Sequence, residues 1–327
     1  MSIYAQGGAK LRADLSSAVV QTTEWEKSLI GLRVAPAVNV DAKDGQYPVF
    51  DKDASNLLKR KSNIARANSS NYARGSLAWV SDTYSTQEYG FELPIDLNTV
   101  KDMGRFYDIE TLTAMLAKRV PLLEHEIRVA AMTFNETNYG TATASGTAYT
   151  LANIASFDVG LDVDLAKGRL LASGETDSDL SVVMSRDVFF RARASTKLQN
   201  RLRGIGVASD TILNVDEQAV AEALGVKEVI VGKNSYDASL EGVSYSSTAI
   251  WNNTYLWVGK LGNGGSPELM LSGGAQYTLN WAQYGSPINV YTYDEPQTNS
   301  EVVRASHHVA EKVVNANQGT LVSTQYS

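Results

Sequence analysis

Residues 108–135 read DIETLTAMLAKRVPLLEHEIRVAAMTFN, and this stretch decides the fold. Its apolar residues recur at steps of three and four, which predicts one long amphipathic helix. They are Ile109, Leu112, Leu116, Val120, Leu123, Ile127, Ala130 and Phe134. Asp108 is a suitable N-cap, and Glu110 lies in the first turn, where the helix dipole favours a carboxylate. A helix of this length spans about 40 Å, which suits a structural rod better than a catalytic site.

Pro121 lies in the middle of this predicted helix. Proline lacks the backbone N–H and crowds the preceding turn, so we expect a bend near Ala117. Two interpretations are open. The segment is either an ordinary core helix with a proline kink or a rod with a hinge at Pro121.

Composition excludes several classes of protein. The chain has 327 residues and is 43% hydrophobic, enough for one large domain or two closely joined ones. The sequence contains neither an apolar run of about 18 residues nor the apolar core of a secretory signal. The absence of cysteine excludes disulfides and thiolate metal sites, and it fits synthesis in a reducing cytoplasm. A net charge of −7 argues against strong overall attraction to nucleic acid, although a local basic face remains possible.

The order of parts divides the chain into five predicted regions. Residues 1–45 form an N-terminal arm, in which Trp25 and Ile30 could dock on a neighbouring molecule. Residues 46–98 form a long two-stranded excursion, and residues 99–210 contain the long helix with further strands and helices. Residues 211–284 form a compact inserted α/β subdomain. Residues 285–327 return as strands, which we expect to pair with residues 180–184.

Charge is divided sharply along the excursion and the start of the helix. Residues 54–81 hold five basic side chains and no acidic one: Lys59, Arg60, Lys61, Arg66 and Arg74. Residues 82–110 hold seven acidic side chains and two basic ones, and the acidic set includes Asp102, Asp108 and Glu110. The pattern fits a solvated loop beside a solvated helix start. It also fits a basic loop that lies across the acidic region of the next identical subunit, which favours head-to-tail assembly.

Candidate catalytic and metal-binding residues are few. His307 and His308 are adjacent on a predicted strand and therefore point to opposite faces, while His125 lies on the long helix. We interpret all three as structural or surface residues. The aspartates at 158, 162 and 164 either hold a hard cation or form an acidic, solvent-facing helix start, and we favour the second interpretation. The glycine runs at 204–206 and 262–265 lack the lysine of a phosphate-binding loop and are read as turns. We therefore predict no catalytic residue, no cofactor and no metal.

Three segments carry a resemblance to a known family. The first is a helix followed by a strand at 215–231, ending in Gly-Lys-Asn-Ser-Tyr at 232–236. The second is IWNNTYLWVG at 250–259, and the third runs from Tyr291 through Asp-Glu-Pro at 294–296 to the valines at 313–314. Together with the order of parts, over nearly the whole chain, they resemble the Hong Kong 97-type major capsid (coat) protein of tailed bacteriophages.

The resemblance implies an α+β fold with named parts. Residues 1–45 would be the N-arm, and residues 46–98 would be the loop called the E-loop. Residues 99–210 would be the P-domain, with residues 108–135 as its spine helix. Residues 211–284 would be the A-domain at the capsomer centre, and residues 285–327 would be return strands of the P-domain.

The resemblance also implies a function. The chain would form homo-hexamers and homo-pentamers of an icosahedral phage head, located in the virion and enclosing double-stranded DNA through weak non-specific contact. Portal, scaffolding and decoration proteins are further expected partners, and no membrane is involved. The basic E-loop residues would contact the acidic residues Asp102, Asp108 and Glu110 of a neighbour, and Pro121 would act as a hinge. Two alternatives stay open: an encapsulin-type nanocompartment shell, and a cytosolic enzyme with an unrecognised site.

Overall fold

The computed structural model describes most of the chain outside several loops. The described residues are 10–19, 24–50, 65–66, 68, 71–72, 79–96, 98, 108–139, 141–142, 155, 157–172, 179–206, 215–240, 242–264, 273–282 and 288–323.

Helices and strands alternate irregularly, as in an α+β protein. The helices are α1 (Ala13–Val19), α2 (Glu24–Lys27), α3 (Gly31–Val34), α4 (Ile109–Thr133), α5 (Val159–Ala172), α6 (Arg186–Ala194), α7 (Thr196–Gly204) and α8 (Glu217–Leu224). The strands are β1 (Lys10–Leu11), β2 (Ala37–Val40), β3 (Asp44–Phe50), β4 (Trp79–Ser85), β5 (Gln87–Asp96), β6 (Thr141–Ala142), β7 (Leu180–Ser185), β8 (Glu228–Gly232), β9 (Ser235–Asp237), β10 (Ser247–Ala249), β11 (Tyr255–Lys260), β12 (Gln276–Trp281), β13 (Asn289–Glu295), β14 (Ser300–Val313) and β15 (Gly319–Ser323).

The predicted long helix is confirmed as α4. It begins after Asp108, whose side chain accepts a hydrogen bond from the Thr111 N–H at 3.2 Å, as expected of an N-cap. The helix runs through Pro121 without interruption for 25 residues, or about 37 Å. The bend near Ala117 and the hinge at Pro121 stay predictions.

The face of α4 that is buried differs from the predicted one. Ala114, Ala117, Pro121 and His125 are buried, whereas the predicted core residues Leu112, Leu116 and Val120 are exposed. Small side chains let a sheet approach the helix axis closely, so the alanine side packs and the larger apolar side chains point outward. The apolar spacing correctly predicted a helix. In its N-terminal half, however, the side that carries the large apolar residues is exposed and not buried.

A six-stranded sheet lies against the N-terminal part of α4. Its centre is β14, which pairs antiparallel with β5 and β13 along its first part and with β12 along its last. β1 pairs with β13, and β2 pairs in parallel with β12. On the helix side, Ala114 and Ala117 of α4 pack with Val303 and Ala305 of β14. The antiparallel pair β3–β4 closes the opposite side through Tyr47 and Tyr84, which pack on Tyr277 and Leu279 of β12.

A five-stranded sheet takes the order β6-β15-β11-β7-β8. Its side chains alternate between two buried faces, which explains its nearly continuous apolar runs. Val182 of β7 faces a core shared with α5, α6, α7 and α8, whereas Val183 faces a core shared with Phe134 at the end of α4. The long helix therefore contacts both sheets.

One prediction about the sheets was wrong. Residues 180–184 do not pair with the return strands, because β11 and β8 occupy the two sides of β7. The predicted subdomain at 211–284 contributes strands to both larger sheets, since β8 and β11 join β7, and β12 joins the six-stranded sheet. The physical reason is that pairing depends on which strands meet in space, and alternation within one strand carries no information about its partner.

Local signals placed the helix ends with mixed success. The glycine after residues 214–224 predicts the end of a helix, and Gly225 ends α8 in the left-handed conformation with φ of 61°. The spacing of residues 187–203 predicts one helix, but Ser195 ends α6 and its hydroxyl caps α7, so this segment forms two helices. The sequence predicts Ser156 as the cap of the helix before them, and Ser156 lies outside the described residues. α5 begins after Asp158, whose carboxylate accepts from the Leu161 N–H at 3.0 Å.

A buried carboxylate fixes the arm onto the long helix. Glu126 of α4 accepts hydrogen bonds from the Ile30 N–H at 3.0 Å and the Gly31 N–H at 2.5 Å, at the start of α3. It also accepts from the indole N–H of Trp251 at 2.7 Å. A Cβ at Gly31 would lie 2.6 Å from the carboxylate, so glycine permits the close approach. Burial raises the pKa of Glu126, while the three donors oppose that rise by favouring the ionised form.

We predict that Glu126→Ala lowers the free energy of unfolding by about 3 kcal/mol, because three buried donors lose their acceptor. Glu126→Gln should lower it less, by about 1–2 kcal/mol, since the amide retains one acceptor oxygen but turns its NH₂ towards a donor. Urea unfolding of the isolated subunit measures both. The control is Glu124→Gln, an exposed position on the same helix, which should change stability by less than about 0.5 kcal/mol. Equal stability of Glu126→Ala and the unsubstituted protein would contradict the role assigned to this carboxylate.

Candidate functional site

The exposed side of α4 carries a continuous apolar surface. Leu112, Leu116 and Val120 are spaced by four residues and therefore lie in one line along the helix. Their exposed fractions are 52%, 47% and 36%. We call these three residues the apolar stripe. Scattered apolar side chains are common on protein surfaces, but a contiguous line on one long helix marks a contact surface.

The N-terminal arm binds the helix of its own chain. Lys118 and Glu26 form a largely buried ion pair at 2.8 Å. The Arg119 guanidinium lies 4.3 Å from the centre of the Trp25 ring. Ile30 is buried in the core that contains Phe134 and Trp251. The expectation that Trp25 and Ile30 dock on a neighbouring molecule was wrong, because both contact elements of the same subunit.

The predicted acidic acceptor has partners within the subunit. Asp108 caps α4, and its hydrogen bonds from Thr111 hold the pKa of its carboxyl below the usual value. Glu110 lies 3.1 Å from the Arg12 guanidinium, which also pairs with Asp14 at 2.8 Å. Both carboxylates are solvent-accessible, so these contacts leave room for further ones. Asp102 lies outside the described residues.

The predicted basic loop is described at one of its five cationic residues. Arg66 is exposed, and its guanidinium lies 4.7 Å from the centre of the Tyr72 ring. Lys59, Arg60, Lys61 and Arg74 lie outside the described residues. Pairing of this loop with the acidic region of another copy stays a prediction.

Two of the three histidines, His125 and His307, lie at the junction between α4 and the six-stranded sheet. His125 Nε2 lies 3.0 Å from Thr278 Oγ1, and its ring centre lies 6.3 Å from that of His307. His308 points to the opposite face and packs edge-on against Trp281. The prediction that the adjacent pair faces opposite sides is confirmed. Burial, with a smaller contribution from the nearby Arg128, lowers the pKa of both His125 and His307 to about 3.

Sequence reasoning missed the polar contacts beside these rings. Arg128 of α4 pairs with Glu311 of β14 at 3.0 Å, and its guanidinium lies 3.7 Å from the centre of the Tyr89 ring of β5. One side chain therefore links the helix to two strands of the six-stranded sheet. Periodicity cannot find such residues, since it treats a charged side chain as a sign of exposure.

The candidate cation site at the aspartates is not formed. Asp158 caps α5, Asp162 is buried, and Asp164 pairs with Arg201 at 2.8 Å. Among the described residues, no group of three or more histidine, aspartate or glutamate side chains is arranged to hold a metal ion. In the same part of the chain, no helix is long and apolar enough to cross a membrane.

Comparison with solved structures identifies the fold. A crystal structure of a phage-related protein from Bordetella bronchiseptica aligns with a TM-score of 0.67 at 20% identity, covering 96% of this chain and 97% of that one. A subunit of the capsid of cyanophage P-SCSP1u aligns with a TM-score of 0.55 at 12% identity, covering 90% and 87%. A virus-like particle from Pyrococcus furiosus aligns with a TM-score of 0.52 at 10% identity, covering 95% and 98%.

These likenesses extend over nearly the whole chain. No protein-family model and no curated protein sequence matches it. The structural resemblance to phage capsid proteins that the sequence suggested is confirmed, and the fold is the α+β, Hong Kong 97-like coat fold.

We predict that the two buried imidazoles make stability depend on pH. Both stay neutral in the native protein but take up protons in the unfolded chain below about pH 6.5, so stability falls as pH drops from 6.5 towards 3. Each histidine contributes up to about 1.4 kcal/mol per pH unit. The titratable and charged groups that influence His307 are His125, Arg128 and Glu311, together with the adjacent His308, which points to the other face. His307→Leu should therefore lower by about one the number of protons taken up on unfolding, so the unfolding free energy falls less between pH 7 and pH 5. Urea unfolding at the two pH values measures this difference.

The matched control for this experiment is Val309→Ala, two residues along the same strand. It removes no titratable group and should lower stability equally at both pH values. An unchanged pH dependence in His307→Leu would show that His307 does not titrate as argued.

Proposed function

We propose that the chain is a major capsid protein that self-assembles into the hexamers and pentamers of an icosahedral phage head. The observation that carries this proposal is the fold shared with capsid subunits over nearly the whole length of the chain. The apolar stripe of α4 supports it, because a single subunit leaves this surface in water. Burying such side chains against another copy is favourable by about 25 cal/mol per Å².

The physical basis of assembly is a set of modest contacts repeated by every copy. We infer that residues 46–98 act as the E-loop. Its strands β3, β4 and β5 pack on their own subunit, and the segment between β3 and β4 is proposed to cover the apolar stripe of a neighbouring α4. The acidic start of that helix, with Asp108 and Glu110, then faces the basic side chains of the incoming loop. Each identical subunit repeats the same contact between basic loop and acidic helix start. Such head-to-tail contacts produce closed rings when the repeated rotation from copy to copy returns to the first subunit.

The domain division proposed from the sequence needs one revision. We propose residues 1–45 as the N-arm, 99–210 and 285–327 as the P-domain around α4, and 211–284 as the centre of the A-domain. Because β7 and β15 share a sheet with β8 and β11, we assign these two strands to the A-domain as well. Pro121 is proposed as the hinge of the spine helix when the shell changes shape.

The remaining partners follow from the same proposal. Double-stranded DNA would be enclosed with weak, non-specific contact, which a net charge of −7 favours by limiting adhesion. Portal, scaffolding and decoration proteins would complete the particle, and the protein would reside in the virion after synthesis in the host cytoplasm.

We predict that the purified protein forms particles hundreds of ångströms wide, visible by negative-stain microscopy. The double variant Leu112→Ser, Leu116→Ser should remain folded by circular dichroism but lose particles, because the apolar stripe no longer gains from burial. Glu124→Ser, at the next position along the same line of the helix, is the control and should assemble. Absence of particles from the unsubstituted protein would overturn the proposed function. Normal particles from the double variant would show that assembly does not depend on the apolar stripe.

We predict that the triple variant Lys59→Glu, Arg60→Glu, Lys61→Glu gives a folded subunit that does not assemble. Like charges would face the acidic region of the neighbour and oppose the contact. The control replaces the same three residues with Gln, which removes attraction without adding repulsion and should assemble more slowly. Normal particles from the Glu variant would exclude charge complementarity as a cause of assembly.

An encapsulin-type shell is the second candidate, and the likeness to the virus-like particle from Pyrococcus furiosus favours it over an enzyme. The contents of the particle separate the two. Nuclease-protected DNA of genome length indicates a phage head, whereas enclosed protein without DNA indicates a compartment. The same preparation used for microscopy serves this assay.

A further inference from the structure

A small hairpin carries an exposed apolar tip. β9 and β10 pair antiparallel, and residues 238–246 connect them. Three side chains of this connection are among the most exposed large apolar residues in the described part of the chain. They are Leu240 at 80%, Val243 at 63% and Tyr245 at 70%. Three such residues on one short turn indicate a contact surface, because exposing apolar side chains to water is unfavourable and burying them against a partner removes that cost. We call them the hairpin tip.

Hydrogen bonds within the subunit hold the described residues of the hairpin in place before they meet any partner. Asp237 Oδ1 accepts hydrogen bonds from the Ser239 N–H at 3.0 Å, the Ser239 hydroxyl at 2.7 Å and the Ser246 N–H at 3.0 Å. The Val243 N–H also donates to the Leu240 carbonyl at 3.0 Å. A tip held in one shape loses little conformational entropy on binding, so its apolar side chains are suited to act as anchors.

A groove on the same subunit has matching character. It lies among α6, α8 and β8 and encloses about 870 Å³. Its apolar lining includes Phe189, Val215 and Val231, and Phe190 lies at its rim with 42% of its surface exposed. The groove therefore offers an apolar floor large enough for several side chains.

The acidic side chains of the groove already have partners. Glu217 pairs with Lys233 at 2.6 Å, and Glu228 pairs with Arg33 at 2.5 Å. Asp216 caps α8 by accepting from the Ala219 N–H at 3.1 Å. These contacts neutralise two of the five cations that line the groove.

Three groove cations remain for an incoming carboxylate, and one of them, Arg193, also donates to the Val215 carbonyl at 3.2 Å. Arg186, Arg193 and Lys227 form no ion pair with a carboxylate among the residues that the structure describes. The guanidinium groups of Arg186 and Arg193 lie 5.1 and 5.0 Å from the centre of the Phe190 ring. The hairpin segment 235–249 contains Asp237 and Glu241 and no basic residue. Hairpin and groove are thus complementary in both polarity and charge.

We propose that the hairpin tip of one copy docks in the α6–α8 groove of the next copy. Leu240, Val243 and Tyr245 fill the apolar floor, and the carboxylate of Asp237 faces the cations Arg186, Arg193 and Lys227. The tip and the groove are separate surfaces that both stand open on the single chain. The contact is therefore heterologous, and each copy gives its tip to one neighbour and receives the tip of another. This inference rests on the proposed self-assembly and names one of its contacts.

Disulfide mapping tests the contact, because the natural chain has no cysteine. One copy carries Ser244→Cys, between two tip residues, and the other carries Gln218→Cys, an exposed position in the groove lining. Neither substitution removes a proposed anchor. The two proteins are mixed and oxidised mildly, and crosslinked dimers are counted on a non-reducing gel. The control pairs Ser244→Cys with Asn317→Cys, which is exposed but lies outside the groove.

The tip–groove mixture should give at least about tenfold more dimer than either protein alone or the control mixture. Adding Leu240→Asp to the tip copy, or Phe190→Asp to the groove copy, should lower the yield about tenfold, as expected when one anchor residue is lost. Circular dichroism verifies that each variant is folded. The Ser244→Cys and Gln218→Cys mixture without further substitutions keeps every anchor residue, so its crosslink yield tests the contact independently of any folding defect in the Asp variants.

The two proposals fail in different ways. Particles without a tip–groove crosslink above the control would overturn the docking proposal and leave the proposed function standing. A specific crosslink with no particles by microscopy would support the docking contact and overturn the capsid function. Equal crosslinking in the control mixture would also overturn the docking proposal, since it would reflect random collision.

Discussion

The structure depends on one buried carboxylate. Glu126, in the C-terminal half of the long helix, accepts hydrogen bonds from the Ile30 and Gly31 N–H groups at the start of α3 and from the indole N–H of Trp251. A buried charge is costly unless hydrogen bonds replace its water, and here three donors converge on it. The arm, the long helix and the segment after β10 must therefore be in place together. This requirement couples regions separated by about 100 residues in either direction.

The same helix, α4, packs against both of the larger sheets. Its N-terminal part packs through alanines on the six-stranded sheet, and its C-terminal end packs through Val129 and Phe134 on the five-stranded one. Polar contacts such as Arg128 with Glu311 fix the helix on β14 between these apolar regions. A subunit built around one rod has a long exposed side, and the apolar stripe lies there. The hairpin tip and the groove are the matching surfaces at the five-stranded sheet.

Periodicity and capping rules predicted much of the local structure correctly. The long helix, its Asp108 cap, the Gly225 end of α8 and most strands follow from side-chain spacing and turn residues. The same rules failed where two signals compete. Ser195 interrupts a helix that apolar spacing would continue, because its hydroxyl accepts a hydrogen bond from the Lys197 N–H in the first turn of α7. Pairing of Asp108 and Glu110 with the basic loop of another copy stays a prediction. The arm contacts within the subunit and the groove were not predicted, since they involve charged residues that no period reveals.

The sequence by itself determined the element types, the unusual length of α4 and the architecture suggested by the order of parts. These depend on neighbouring residues, and local hydrogen bonds and side-chain spacing encode them. Only the tertiary structure decided which side of α4 is buried, which strands flank β7, and where the arm lies. Those outcomes depend on close packing between distant segments: the alanines of α4 allow the sheet to approach, and its leucines remain outside for another molecule to cover.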